Sequence, residues 1–258
     1  MDLKGLQQFS LEGKTAIVTG VAKTSGLCYG MADALHNAGA KVVLMDVSPE
    51  VFNLAETLGG EANNYYAVQL DLCDATSREA GFQKALELLG GRLDILLNGA
   101  GIQHRCEAID FPSDKWEAII NVNLNSMFYM CQLAAKVMAK QGGGKIINIA
   151  SMTSYMGSRH IPAYAASKGG VMQMTKALSN EWAKLGINVN AIAPGYMETE
   201  LTANMINTEV GRGHTARIPA GRWGTPQDLQ GVTVFLASAA SDYVSGAIIP
   251  VDGGYLGA

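Results

Sequence analysis

Tyr164 and Lys168 stand four residues apart in the stretch "YAASK", thirteen residues after Ser151 in "NIAS". On a helix, positions i and i+4 share a face. A phenol with an ordinary pKa of about 10 is a poor base at neutral pH, but a neighbouring ammonium favours the phenolate. Tyr164 can then take the proton of an alcohol as hydride leaves its carbon, with Ser151 hydrogen-bonding the same oxygen. Asn123, in "INVNLNS", is a further polar residue in the middle of a helical segment, suited to holding a water that passes protons onward. Each has an ordinary reading when taken singly. A Tyr/Lys pair is common on helices, Ser151 can cap one, and Asn121 and Asn125 flank Asn123. The combination is what specifies a proton-transfer site.

Such a site needs a scaffold. Seven apolar runs, 14–20, 41–46, 65–72, 93–101, 144–151, 187–195 and 246–254, alternate with amphipathic stretches such as 114–141 and 162–185. The runs are continuously apolar, as in parallel strands covered on both faces. Alternating strands and helices predict a single α/β domain over 1–258, doubly wound around a mostly parallel seven-stranded sheet. Ligands of such sheets bind beyond the carboxyl ends of the strands, and Ser151 falls at one of those ends. Residues 198–218 are more polar and less periodic, as expected of a lid over a substrate.

The first run ends in "TGVAKTSGLCYG". A glycine-rich turn from strand to helix can present backbone N–H groups to a pyrophosphate. Gly20 makes the turn, and Gly26, with Ser25 and Leu27 beside it, allows close approach of the phosphates. Asp46 ends the second run; an acid there accepts hydrogen bonds from both ribose hydroxyls and repels a 2′-phosphate, which favours NAD over NADP. Lys23 argues the other way, as a cation able to bind a phosphate. Asp71, with Leu72 next to it, ends the third run and can meet an adenine edge, or serve as a turn residue. A nicotinamide cofactor would add its own positive charge to that of Lys168 beside Tyr164.

The chain has 258 residues, 48% hydrophobic and 16% charged, with a net charge of -4. This balance fits a compact core and leaves no basic footprint for nucleic acid. No apolar run approaches a membrane span, and the mixed opening "MDLKGLQQFS" does not read as a targeting segment. Cys28, Cys73, Cys106 and Cys131 are widely spaced without a C-x-x-C, so neither zinc ligation nor a disulfide framework is expected and a reduced cytoplasmic protein is.

From "GKTAIVTG" through "NGAG", "NIAS", Y-x-x-x-K and "NAIAPG" to "VDGG", the sequence resembles the short-chain dehydrogenase/reductase family over nearly its whole length. The resemblance implies a Rossmann-type fold, a nicotinamide cofactor, a homotetramer and a catalytic tetrad at Asn123, Ser151, Tyr164 and Lys168. It gives Lys168 a second role on the nicotinamide ribose. It also places Asn98 and Gly101 along the sugars of the dinucleotide, and Pro194 and Gly195 beside the nicotinamide. Two departures stand out. The family's T-G-x-x-x-G-x-G is lengthened by two residues and Cys28 replaces its last glycine, a spacing closer to that of enoyl-thioester reductases. The family's N-N-A-G reads "NGAG", with Gly99 at the second asparagine.

A narrower likeness, carried by "AGIQHR", "GGKIINIASM" and "IPAGRWG", is to the 2-dehydro-3-deoxy-D-gluconate and gluconate 5-dehydrogenases, which act on sugar acids. A sugar acid calls for a cation, preferably arginine, to meet its carboxylate. Arg105 or Arg159 is the expected partner, with Gln103, His104 and His160 toward hydroxyls; Arg217 and Arg222 are weaker candidates, Arg222 as a brace of the lid. Two other readings are a 3-oxoacyl-thioester reductase, which Asp46 and the negative charge disfavour, and a non-catalytic nucleotide-binding protein, which the intact Tyr164 and Lys168 disfavour.

Overall fold

A computed structural model describes residues 4–200 and 202–258. A short helix α1 (Lys4–Gln7) precedes seven strands: β1 (Thr15–Thr19), β2 (Lys41–Asp46), β3 (Tyr65–Gln69), β4 (Ile95–Asn98), β5 (Gly144–Ile149), β6 (Ile187–Pro194) and β7 (Ile248–Val251). They form one parallel sheet in the order β3-β2-β1-β4-β5-β6-β7. The order reverses between β1 and β4, which opens a crevice at their carboxyl ends.

Both faces of the sheet are covered, and the strand sequences show why they are apolar throughout. Ile17, Val43, Leu96 and Ile146 point to one core, packed on Phe82, Met130, Met138 and Val171. Their neighbours Val18, Leu44, Leu97 and Ile147 point to the other, packed on Met31, Leu35, Leu54 and Leu236. The first core is closed by α4 (Ala75–Leu88), α6 (Ser126–Gln141) and α7 (Pro162–Trp182), the second by α2 (Leu27–Asn37), α3 (Glu50–Thr57) and α10 (Gln230–Ala237). Successive side chains of a strand face opposite ways, so two covered faces require an unbroken apolar run.

The stretch 114–141 is one continuous helical run made of α5 (Ser113–Ile120), a π turn (Asn121–Asn125) and α6, with right-handed helical dihedrals kept at both junctions. Residues 198–218, apart from Leu201, which lies outside the described residues, carry α8 (Ala203–Ile206) and α9 (Glu209–Thr215). They are less polar in effect than in composition. Met205, Ile206 and Ile218 join Met152, Tyr196, Trp223 and Tyr255 in a third apolar cluster. Among the described residues no helix is long and apolar enough to cross a membrane.

Candidate active site

The chemical end is built where β5 stops. Ser151 follows it in extended conformation and caps a single helical turn, its Oγ accepting from the Thr153 N–H at 3.1 Å. Ser154 of that turn accepts from the Ser151 N–H at 3.3 Å and donates to the carbonyl of Lys168 at 2.7 Å. Pro162 starts α7, where a missing N–H costs nothing, and one turn of that helix brings Tyr164 and Lys168 onto the face toward Ser151. The Lys168 ammonium is buried, donates to the carbonyl of Ile149 at 2.6 Å, and lies 5.7 Å from the centre of the Tyr164 ring. Burial lowers its pKa to about 8. Burial raises that of Tyr164, and the nearby Ser151 hydroxyl acts against that rise. Ser151, Tyr164 and Lys168 therefore meet around one point.

Asn123 is joined to them through protein rather than standing free. Its Oδ1 accepts from the Ile102 N–H at 2.8 Å, and its Nδ2 donates to the Ile102 carbonyl at 3.0 Å and to Ser167 Oγ at 3.1 Å. Fully buried, its side chain clamps the segment after β4 to α7. A water held at this position is left the main chain, since the side chain is spent. A Cβ added to Gly101 would lie 3.4 Å from Asn123 Oδ1 and 3.8 Å from Lys168 Nζ, so Gly101 borders the same space.

The nucleotide end begins at Gly20, whose φ of 80° and approach to Ala100 (2.7 Å from an added Cβ) admit no larger residue. The loop then closes as a turn, the Gly26 N–H donating to the Lys23 carbonyl at 3.1 Å, and this turn absorbs the two extra residues. Gly26 precedes α2, and no side chain caps the first turn of that helix, which leaves its N–H groups, Leu27 included, for a phosphate. Asp46 ends β2, with one carboxylate oxygen accepting from the Ser48 N–H at 2.9 Å. The cradle, the uncapped helix and the acid fit a dinucleotide.

Other expected contacts are placed differently. Asn98 is turned into the sheet: its Nδ2 donates to Asn148 Oδ1 at 3.0 Å, and Asn148 donates on to Thr175 at 3.1 Å. Only its backbone is left to line a sugar. The Asp71 carboxylate accepts from the Cys73 N–H at 2.8 Å and so holds a turn, while Leu72 is half-buried with its carbonyl on Arg78. Pro194 ends β6 and Gly195 follows it, its N–H donating to the Val251 carbonyl at 3.0 Å.

The two departures from the family pattern meet in space. A Cβ on residue 99 would overlap the Cys28 sulfur and come within 3.0 Å of the Thr19 carbonyl. Cys28 thus fills the room a side chain at 99 would need. The tie between neighbouring strands that such a side chain could make is carried instead by Asn98 and Asn148.

The two arginines expected for a carboxylate separate. Arg105 stands near His214 and Tyr196, as does Arg217. Burial, and then these two positive charges, lower the His214 pKa. Burial and Tyr255 raise that of Tyr196 to about 12 against the pull of Arg217 and Arg105. His214 stacks on Tyr196 at 4.3 Å, and Arg217 lies over the Tyr255 ring at 4.8 Å. The Tyr255 hydroxyl is buried without a partner among the described residues. Arg159 is exposed and makes no ion pair among the described residues. His160 is held apart, facing Glu107 at 3.3 Å, with its carbonyl on the Cys106 N–H. Gln103 is exposed and His104 packs edge-on to Phe111. Arg222 donates to both carboxylate oxygens of Asp228 at 2.7 Å and is spent on that local pair. Sequence spacing gave no hint of Tyr196, His214 or Tyr255, because only the folding of α9 and the C-terminus onto β6 brings them together.

The chain is similar to known proteins over nearly its whole length. The family described as enoyl-(acyl carrier protein) reductase matches residues 20–256. The chain is 46% identical to the 2-dehydro-3-deoxy-D-gluconate 5-dehydrogenase of Dickeya dadantii, over 97% of its own length and 98% of the relative's. It is 47% identical to the Bacillus subtilis protein of the same name, over 96% of each. A solved gluconate 5-dehydrogenase from Burkholderia cenocepacia, in complex with NADP and tartrate, has a TM-score of 0.92 at 38% identity and covers 98% of this chain and 99% of its own.

Proposed function

The chain belongs to the short-chain dehydrogenase/reductase family, a nicotinamide-dependent oxidoreductase by its relatives, and from that premise we propose that it oxidises a secondary alcohol of a sugar acid, 2-dehydro-3-deoxy-D-gluconate at C5, with NAD. The observation that carries the reading is the buried Lys168 ammonium on the Ile149 carbonyl, set against Tyr164 and Ser151. When bound, the nicotinamide ring would accept the hydride from the carbinol carbon. Tyr164, as phenolate, takes the hydroxyl proton, and Ser151 hydrogen-bonds the oxygen as it becomes a carbonyl. Lys168 stabilises the phenolate and would hold the nicotinamide ribose. Asn123 fixes the segment after β4 against α7, and its main chain is the place for a proton-relay water. Gly20, Ser25, Gly26 and Leu27 would cradle the pyrophosphate, Asp46 the adenosine ribose, Asp71 and Leu72 the adenine edge, and Asn98, Gly101, Pro194 and Gly195 the rest of the dinucleotide.

Arg105 is the better carboxylate partner of the two, because it shares its surroundings with Arg217, His214 and the unpaired Tyr255 hydroxyl. The relative solved with tartrate, a hydroxylated acid, supports such a site. We propose likewise a cytoplasmic homotetramer: exposed Trp116, Phe128 and Tyr129 on α5 and α6 support interfaces there, and the scattered unpaired cysteines suit a reducing compartment.

The test is the appearance of reduced nicotinamide with 2-dehydro-3-deoxy-D-gluconate, gluconate and neutral polyols, in the unaltered protein and in Arg105→Ala and Arg159→Ala. The reading requires turnover of the sugar acid, with KM raised more than about tenfold by loss of Arg105, the scale of a lost charged hydrogen bond, and little changed by loss of Arg159. Turnover of neutral polyols alone would discard the carboxylate site.

A further inference from the structure

A cleft of about 350 Å³ lies between the glycine-rich turn and α3, lined by Lys23, Ser25, Glu50, Asn53 and Glu200 among others. Its outer wall, the start of α3, begins four residues beyond Asp46. Glu200 comes from the far end of the chain, just after β6, yet one of its carboxylate oxygens receives both Lys23 Nζ at 3.4 Å and Ser25 Oγ at 3.1 Å. Glu50, across the cleft, accepts from Asn53 Nδ2 at 3.0 Å. Lys23 is thus the one cation among the residues lining the cleft, and its charge is matched by Glu200.

A phosphomonoester on the adenosine ribose would need that cation, whereas a ribose with two free hydroxyls would not. We infer that Glu200 is a specificity-determining residue that withholds Lys23 from a 2′-phosphate and so selects NAD over NADP. The inference rests on the dinucleotide reading above. It assigns the discrimination to two acids from distant parts of the chain, Asp46 at the ribose and Glu200 over the loop cation. It also gives the two extra loop residues a purpose, since they carry Lys23 and the turn out to where the segment after β6 passes.

Glu200→Gln removes the charge and keeps an oxygen for Ser25. Binding of NADH and of NADPH is followed by nicotinamide fluorescence in the unaltered protein, in Glu200→Gln, in Lys23→Ala and in the double variant, with no sugar acid present. Glu200→Gln is expected to tighten NADPH about tenfold, the scale of removing one like charge near a phosphate in a solvated cleft. It should leave NADH within about twofold, because an exposed ion pair contributes little by itself. The double variant should lose the gain. Equal changes for the two nucleotides, no change for either, or a gain that persists without Lys23 would each overturn the proposal. Failure of the unaltered protein to bind either nucleotide would instead overturn the dinucleotide reading beneath it.

Discussion

Asn123, Ser151 and Lys168 are each buried, and each spends hydrogen bonds on a neighbouring element: Asn123 on Ile102, Ser151 on the turn it caps, Lys168 on Ile149. Lys23, Ser25 and Glu200 meet on the exposed side of the cleft, where no core packs against them. The first group is held by bonds that are costly to break in a low-dielectric interior. The second is held by contacts that water can replace. Proton transfer requires positioning to a fraction of an ångström, and the chain supplies it with buried polar bonds. Choosing between two dinucleotides requires only a charge of the right sign in the right cleft. Changes at the chemical end should therefore be severe and specific to turnover, and changes at the nucleotide end graded and visible in binding.

Tyr164→Phe tests that contrast hardest. It removes the proton acceptor and leaves the packing of α7 and the bond from Lys168 to Ile149 in place. The turnover number should fall at least about 1,000-fold, within the range of a lost general base, while NADH affinity stays within about threefold. Loss of both together would mean that the two ends are one structural unit.

Proximity of the residues at the chemical end was more legible in the sequence than the layout of the nucleotide end, for a physical reason. Tyr164 and Lys168 are one helical turn apart, so spacing brings them together, and the bonds of Lys168 to Ile149 and Ser154 bring α7 to the strand end that carries Ser151. The sheet was legible too, because a strand covered on both faces must be apolar at every position. Its ends were not. The run 93–101 outlasts β4 because Thr19 Oγ1 draws the Gly99 N–H aside at 3.1 Å and Asn123 draws that of Ile102. The helix 114–141 runs unbroken but widens into a π turn where the buried Asn123 reaches partners in two other elements. Arg105 and Arg159 looked equivalent because both sit in loops at the same sheet edge, and nothing in the sequence says which loop faces α9. Cys28 and Gly99, 71 positions apart, read as two unrelated departures and are one steric contact.

That contact gives the next largest effect. In Gly99→Asn the new side chain meets the Cys28 sulfur and the Thr19 carbonyl, and overpacking of this kind costs about 2–3 kcal/mol. In a Cys28→Gly background the same change should cost less than about 1 kcal/mol, because the sulfur is gone. Urea denaturation of the four proteins measures the coupling. Additive losses would show that the two positions are independent after all.

The smallest effect is a slope in pH, and it separates function from stability at Lys168. Its folded pKa, lowered by burial to about 8, lies below the unfolded value of 10.5. Between those values the unfolded chain binds more protons than the folded one, so the contribution of this residue to stability rises with pH across that window. Below it the buried charge is a standing cost. Lys168→Met removes the cost together with the bond to Ile149. The unaltered protein should therefore gain on the variant as the pH is raised from about 8 toward 10.5, by roughly 2 kcal/mol after allowance for relaxation around a buried group. Urea midpoints at the two ends of the range measure the gain. A flat difference would mean that Lys168 keeps its charge throughout, held by more than the Ile149 carbonyl. At neutral pH the variant should be inactive yet lose little stability, as expected of a buried cation kept for its chemistry.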